Sequence, residues 1–177
     1  MVGGQGKLKR MYTYKISFEH QIKHLWVIVY YGLVIVCGSF FISYSRYGFI
    51  DYAKILVIST VGFLVFFIPQ LILHMNYYMK NKGDIFYYDP LGQRVTINHK
   101  GESASFSFDD IQLLRRFKSY PFAQNRMQWF PWDNYNYSII QLKNGQEFIV
   151  TSLLVPNMDL PIDSDKIILE KSFYPIL

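Results

Sequence analysis

The residues best suited to chemistry in this chain are basic and aromatic rather than nucleophilic. Arg115, Arg116 and Lys118 precede a stretch that holds Arg126, Trp129, Phe130 and Trp132. Guanidinium and ammonium groups bind phosphate, and aromatic rings with a polar handle settle where one end is apolar and the other wet. That combination suits a surface for anionic phospholipid or for a partner protein. The same rings could instead fold over the strand-rich region around them and complete a small core, and both readings stand at this point. His20 and His24 lie four apart, which puts them on one helix face at a spacing that metals use. Neither a cysteine nor a cluster of acids accompanies them, so no metal site is expected. Asp109 and Asp110 are neighbours, and neighbours in a strand point to opposite faces. A turn role suits them better than paired acid–base work. His99 has no nucleophile close in sequence. The chain has no G-x-S-x-G, H-E-x-x-H, Walker or dinucleotide-binding motif. A non-enzymatic protein without a cofactor is therefore expected.

Two apolar runs position everything else. Residues 25–45 contain no Asp, Glu, Lys, Arg or His, and residues 55–75 contain only Gln70 and His74 as strongly polar members. Each has 21 residues, about 30 Å as a helix, which is the thickness of a bilayer's hydrocarbon core. Apolar side chains surround both runs, where a soluble amphipathic helix would show one charged face. The expectation is a transmembrane hairpin with helices at 25–45 and 55–75. Aromatic residues with polar handles crowd its ends: Trp26, Tyr30, Tyr31, Tyr44, Tyr47, Tyr52, Tyr77 and Tyr78. Pro69 should kink or break the second helix near Phe66 and Phe67. Gln70 and His74 read more readily as groups snorkelling to the headgroups than as a polar seam for a partner helix. Gly32, Gly38, Ser39, Ser59, Thr60 and Gly62 are small residues that could let partner helices approach.

Charge gives an orientation. Lys7, Lys9, Arg10, Lys15 and Lys23 precede the first run against one acid, Glu19, and Lys80 and Lys82 follow the second. Arg46, Lys54 and Asp51 occupy the link. The positive-inside rule places both termini in the cytoplasm of a multi-pass inner-membrane protein. The net charge of +5 belongs to these flanks, since residues 84–177 carry nine basic and eleven acidic residues. A basic flank of this kind suits anionic lipid rather than nucleic acid, and no nucleic-acid partner is expected. Cys37 is the single cysteine, so no intramolecular disulfide can form. A cleaved signal peptide is not expected behind so long a polar lead. Asn136-Tyr137-Ser138 matches a glycosylation sequon on the side assigned to the cytoplasm.

After Gly83 the pattern changes to short strands. Residues 11–18 already alternate aromatic and polar residues and could add a strand to them. Residues 84–89, 94–100, 103–108, 111–119, 134–143 and 146–155 follow, divided by Pro90-Leu91-Gly92, Gly101-Glu102, Asp109-Asp110 and Asn144-Gly145. Asn-Gly predicts a type I′ hairpin. Residues 163–173, with Ile167, Ile168 and Leu169 behind a capping Asp163 or Ser164, predict a closing helix. The domains expected are a basic segment at 1–24, the hairpin at 25–75 and a mostly antiparallel β domain at 84–177 that ends in that helix.

Ile85-Phe86-Tyr87-Tyr88-Asp89, then Phe106-Ser107-Phe108-Asp109-Asp110-Ile111, then Ile140-Gln141-Leu142-Lys143-Asn144-Gly145 with Phe148-Ile149-Val150, resemble the bacterial pleckstrin-homology-like domains found behind a two-helix membrane hairpin. That resemblance implies a seven-stranded bent barrel with a C-terminal helix, and a cytoplasmic module for protein, peptide or lipid. The alternative is a small subunit of a membrane transport or secretion assembly, whose hairpin packs against partner helices.

Overall fold

The computed structural model describes residues 11–177. Lys7, Lys9 and Arg10, part of the basic lead, lie outside the described residues. The chain opens with strand β1 (Tyr12–Lys15), rises through helix α1 (Phe18–Tyr47) and returns through helix α2 (Tyr52–Asn81). Both helices have 30 residues and extend past the apolar runs of 21 at each end. The extra turns are the polar lead 18–24 and residues 76–81, which are helical because protein covers them on one side. Ser17 caps α1 by accepting from the His20 amide, and Asp51 caps α2 by accepting from the Lys54 amide. Gly48 ends α1 in the left-handed region, at φ 71°. Ser43 closes the link, with its Oγ donating to Phe49 O and accepting from Asp51 N. Helix α2 runs unbroken through Pro69, so of the expected kink or break the break does not occur. The Pro69 carbonyl accepts instead from the Tyr174 hydroxyl.

Two four-stranded sheets follow. The first has the order β1-β2-β3-β4, with β2 Ile85–Asp89, β3 Arg94–His99 and β4 Glu102–Ser107, all antiparallel. β1 pairs with β2 from Tyr12↔Tyr88 to Lys15↔Ile85. The hairpin is therefore inserted between the first two strands of one sheet, and the β domain begins before it. The second sheet has the order β7-β6-β5-β8, with β5 Ile111–Ser119, β6 Asn136–Leu142, β7 Glu147–Thr151 and β8 Ile167–Ser172. The closing helix expected over 163–173 is not formed. Residues 164–166 make one 3-10 turn, and β8 then runs parallel to β5 from Leu114↔Ile167 to Ser119↔Ser172. Two adjacent β-branched isoleucines disfavour a short helix, while the edge of β5 offers a complete ladder. Glu170 then reaches Arg115 across that ladder, at 2.6 Å.

Two of the turns are built differently from what their residues suggest. At 90–93 the residue with positive φ is Gln93 (47°), not Gly92. Gly92 is needed for space, because a Cβ there would meet Asp89 Oδ2 at 2.7 Å. At Asn144-Gly145 only Gly145 has positive φ, at 85°. Gly145 N donates to Leu142 O and Leu142 N donates to Gln146 O. This is a longer hairpin loop in which glycine takes the left-handed bulge position, rather than a type I′ turn.

The inner faces of the two sheets bury Phe86, Val95, Ile97, Phe106, Phe108, Ile111, Leu114, Ile140, Leu142 and Val150. A bulge between Ile111 and Leu113 lets Ile111 and Leu114 share that face. The outer face of the second sheet is buried as well, under α2. Leu73, Tyr77, Trp132, Tyr135, Tyr137 and Leu153 form that second core. Burial on both faces extends to the polar members of β6, since Asn136 and Ser138 are buried along with Tyr137, Ile140 and Leu142.

Candidate functional site

The base of α2 carries a stripe at Gln70, His74, Tyr77 and Asn81, spaced 4, 3 and 4 residues, and all four are buried. The period places them on one helix face. That face meets α1 at Gln70 and the β domain from His74 onward. Gln70 Nε2 donates to His24 O at 2.9 Å and ties the two helices. His74 Nδ1 and the Tyr135 hydroxyl are 2.9 Å apart, and the Tyr135 ring stands edge-on to His24, His74 and Tyr77. Burial pushes the Tyr135 hydroxyl well above the ordinary tyrosine range, so it stays protonated there. The Tyr77 hydroxyl donates to Pro175 O at 2.7 Å. Asn81 acts as a peptide mimic on the edge of β7. Its Nδ2 donates to Ile149 O and to Asp84 Oδ2, and its Oδ1 accepts from Thr151 N, each at 2.9 Å. These bonds satisfy a strand edge that would otherwise be open. The reading of Gln70 and His74 as snorkelling groups is thus replaced: both are shielded by the protein's own β domain.

The aromatic stretch divides between the two readings offered for it. Trp132 is 5% exposed and Tyr135 fully buried, so these rings complete a core. Phe130 is half-buried and stacks on Trp132 at 4.9 Å and on Phe66 of α2 at 6.3 Å. Met127 and Trp129 project outward, at 74% and 67% exposed. The loop that carries them is held firmly. The Asp133 carboxylate accepts from the amides of Trp129 and Phe130 at 2.9 Å, and the Tyr31 hydroxyl of α1 donates to Trp129 O at 2.7 Å. The basic residues do not converge into one pocket. Arg115 pairs with Glu170 at 2.6 Å and covers the Phe117 ring, and Arg116 lies 3.6 Å from Asp159. Burial, with Arg116 beside it, holds the Lys118 ammonium below the ordinary lysine range. Arg126 is exposed on the shoulder of the loop.

Other candidates settle into structural roles. The His24 Nδ1 bonds back to His20 O at 2.9 Å, an arrangement that turns it away from shared ligation with His20. Among the described residues no group of three His, Cys, Asp or Glu side chains is placed to hold a metal. Asp110 caps its own corner. Its Oδ2 accepts from Ser107 N at 2.7 Å and from Ser107 Oγ at 2.8 Å, and these bonds hold its carboxyl below the usual carboxylate range. One pair was not apparent from sequence spacing. His99 Nδ1 lies 2.8 Å from the buried carboxylate of Asp84, in a groove beside Asn81 and Phe148. Fifteen residues separate that pair, and only the β2–β3 pairing brings them together.

Within the hairpin, several small residues are spent on contact between α1 and α2. The Ser59 and Ser39 hydroxyls bond at 3.1 Å, and a Cβ on Gly62 would meet Ile35 Cγ2 at 2.9 Å. Gly32 and Gly38 face open space. Both helices are long and apolar enough to cross a membrane.

A PH-domain family model matches residues 13–161, well over half of the chain. The fold and this match define the class, a small β module of PH type with a helical hairpin inserted after its first strand. The chain belongs to the PH domain family, and the matched span takes in the hairpin as well as the sheets. Neither the curated proteins nor the solved structures yield a match to the chain.

Proposed function

We propose that this is a non-enzymatic, multi-pass membrane protein whose hairpin crosses the bilayer and holds a PH-type binding module against its inner face. The observation that carries the reading is the contrast along the hairpin. Large apolar side chains such as Leu33, Phe41, Leu56, Val61 and Val65 are exposed all round its outer half, while the stripe Gln70–Asn81 is covered by the domain. A soluble protein would have to cover that outer half, because exposed apolar area of this extent marks an interaction surface. The basic flanks Lys15, Lys23, Lys80 and Lys82 support cytoplasmic termini. The module's occupant is a lipid headgroup, a peptide or a protein. Arg115, Arg116, Lys118, Arg126, Trp129, Phe130 and Trp132 remain the proposed surface, with Arg126 and Trp129 its most accessible members and Trp132 its internal support. Reporter fusions at both termini test orientation, and a C-terminus found outside the cell contradicts it. Anionic vesicles test the surface: Arg126→Ala should weaken binding more than Arg115→Ala, since Arg115 is already paired. The subunit alternative rests on Gly32 and Gly38, which stay open to a further helix. A stoichiometric membrane partner recovered in mild detergent would favour it.

A further inference from the structure

We infer that the loop at residues 127–130 is not poised above the bilayer but sunk into it, so that Trp129 and Met127 replace lipid beside the hairpin in the near leaflet. This rests on the membrane reading above and adds a depth to it. The Tyr31 hydroxyl bonds Trp129 O, and Phe130 and Trp132 stack on Phe66, so the loop is fixed at the level of Tyr31 and Phe66. From Tyr31 to the end of α1 at Tyr47 is 16 residues, and from the start of α2 at Tyr52 to Phe66 is 14. At the helical rise these lengths are about 24 and about 21 Å, short of the roughly 30 Å of a hydrocarbon core. Arg46, Asp51 and Lys54 mark the hairpin tip, with Lys54 paired to Asp51 at 3.0 Å. With that charged tip at the far surface, the loop lies inside the near leaflet. Tilting the hairpin shortens its projected length and sinks the loop further.

The loop is built for that setting. Backbone groups exposed to lipid must find partners within the protein. Trp129 N and Phe130 N donate to the Asp133 carboxylate, Trp129 O accepts from Tyr31, and Phe130 O accepts from Asp133 N. All four polar backbone groups of the two residues are thereby satisfied without water. The apolar side chains that face outward are Met127 and Trp129, with the exposed amide of Gln128 between them, and Phe173 and Ile176 of the C-terminal tail at 57% and 46% exposed. Phe173 packs edge-on against Phe130 at 5.1 Å, so the tail continues the apolar rim. Arg126 stands next to the loop, where its guanidinium can reach a headgroup phosphate while the loop stays in the acyl region.

The test uses the full chain in phosphatidylcholine vesicles containing phosphatidylglycerol, with and without acyl chains brominated near the headgroup. Two single-tryptophan proteins are compared: Trp129 alone (Trp26→Phe with Trp132→Phe) and Trp26 alone (Trp129→Phe with Trp132→Phe). Trp26 reports the hairpin and Trp129 the loop. The inference expects bromine to remove Trp129 fluorescence at least as strongly as that of Trp26. Quenching of Trp26 without quenching of Trp129 overturns the sunken loop and leaves the membrane hairpin standing. Quenching of neither overturns both. A spin label at Met127→Cys in a Cys37→Ser background gives a second readout that spares the aromatic stack. Collision with oxygen should exceed collision with a water-soluble nickel chelate, and the reverse order overturns the inference.

Discussion

The outer and inner halves of the same hairpin live by different rules. From Gly32 to Val65 the two helices touch little except each other, and their contact is made by small groups: Ser39 against Ser59 and Gly62 against Ile35. From Phe66 to Asn81 one face of α2 carries buried side chains that bond in turn to α1, to Tyr135, to the C-terminal tail and to β7, while Ile68, Leu71, Ile72, Met75 and Met79 on the other face stay exposed. One continuous helix thus passes from a stretch whose apolar side chains are exposed to a stretch covered by protein on one face and exposed on the other. The difference shows what anchors this PH-type module. The grip comes from a buried polar and aromatic stripe and not from the short links at Ile16–Ser17 and Lys82–Asp84.

Substitutions should separate the two halves by size of effect, read as unfolding of the full chain in mixed micelles by a denaturing detergent. Tyr77→Ala empties the second core and removes the bond to Pro175, and should cost about 3–5 kcal/mol. Asn81→Leu leaves Thr151 N and Ile149 O without partners in a buried site and should cost about 2–3 kcal/mol. An unchanged midpoint for either variant would break the comparison, because it would mean that the domain does not depend on the inner half. In the outer half Gly62→Leu forces α1 and α2 apart at Ile35 and should cost about 2 kcal/mol. Gly38→Leu, which enters open space, should stay within about 0.5 kcal/mol. Ser59→Ala removes one hydroxyl bond between the helices and should cost only about 0.6 kcal/mol. An outer-half variant that cost more than Tyr77→Ala would reverse the ranking.

Much of this was legible in the residues. The two apolar runs, the six strands from Ile85 to Thr151 and the buried faces of Val95, Ile97, Phe106 and Phe108 follow from period and turn chemistry. The 4-3-4 spacing of Gln70, His74, Tyr77 and Asn81 is a signal that could have shown the stripe, but Gln70 and His74 alone suggested headgroup snorkelling. Their partners are distant in sequence: His24 O on α1 for Gln70 and the Tyr135 hydroxyl for His74. β8 was misread because Ile167-Ile168-Leu169 has no alternation, and a parallel edge strand takes its pairing from β5, about 50 residues earlier. The insertion of the hairpin between β1 and β2 was open to reading only as a short strand pattern without an assigned partner. Long-range pairing decided each of these cases, and local propensity carries no record of it.

The central claim is that α2 changes its surroundings at Phe66. A spin-label scan from residue 56 to residue 79 in vesicles tests this directly. The account predicts high oxygen collision across 56–65 except on the face toward α1. From 66 onward it predicts a helical period, with protection at 70, 73, 74 and 77 and access at 68, 71, 72, 75 and 79. Uniform oxygen access through 66–79 would show the stripe facing lipid instead of the domain, and would contradict the account.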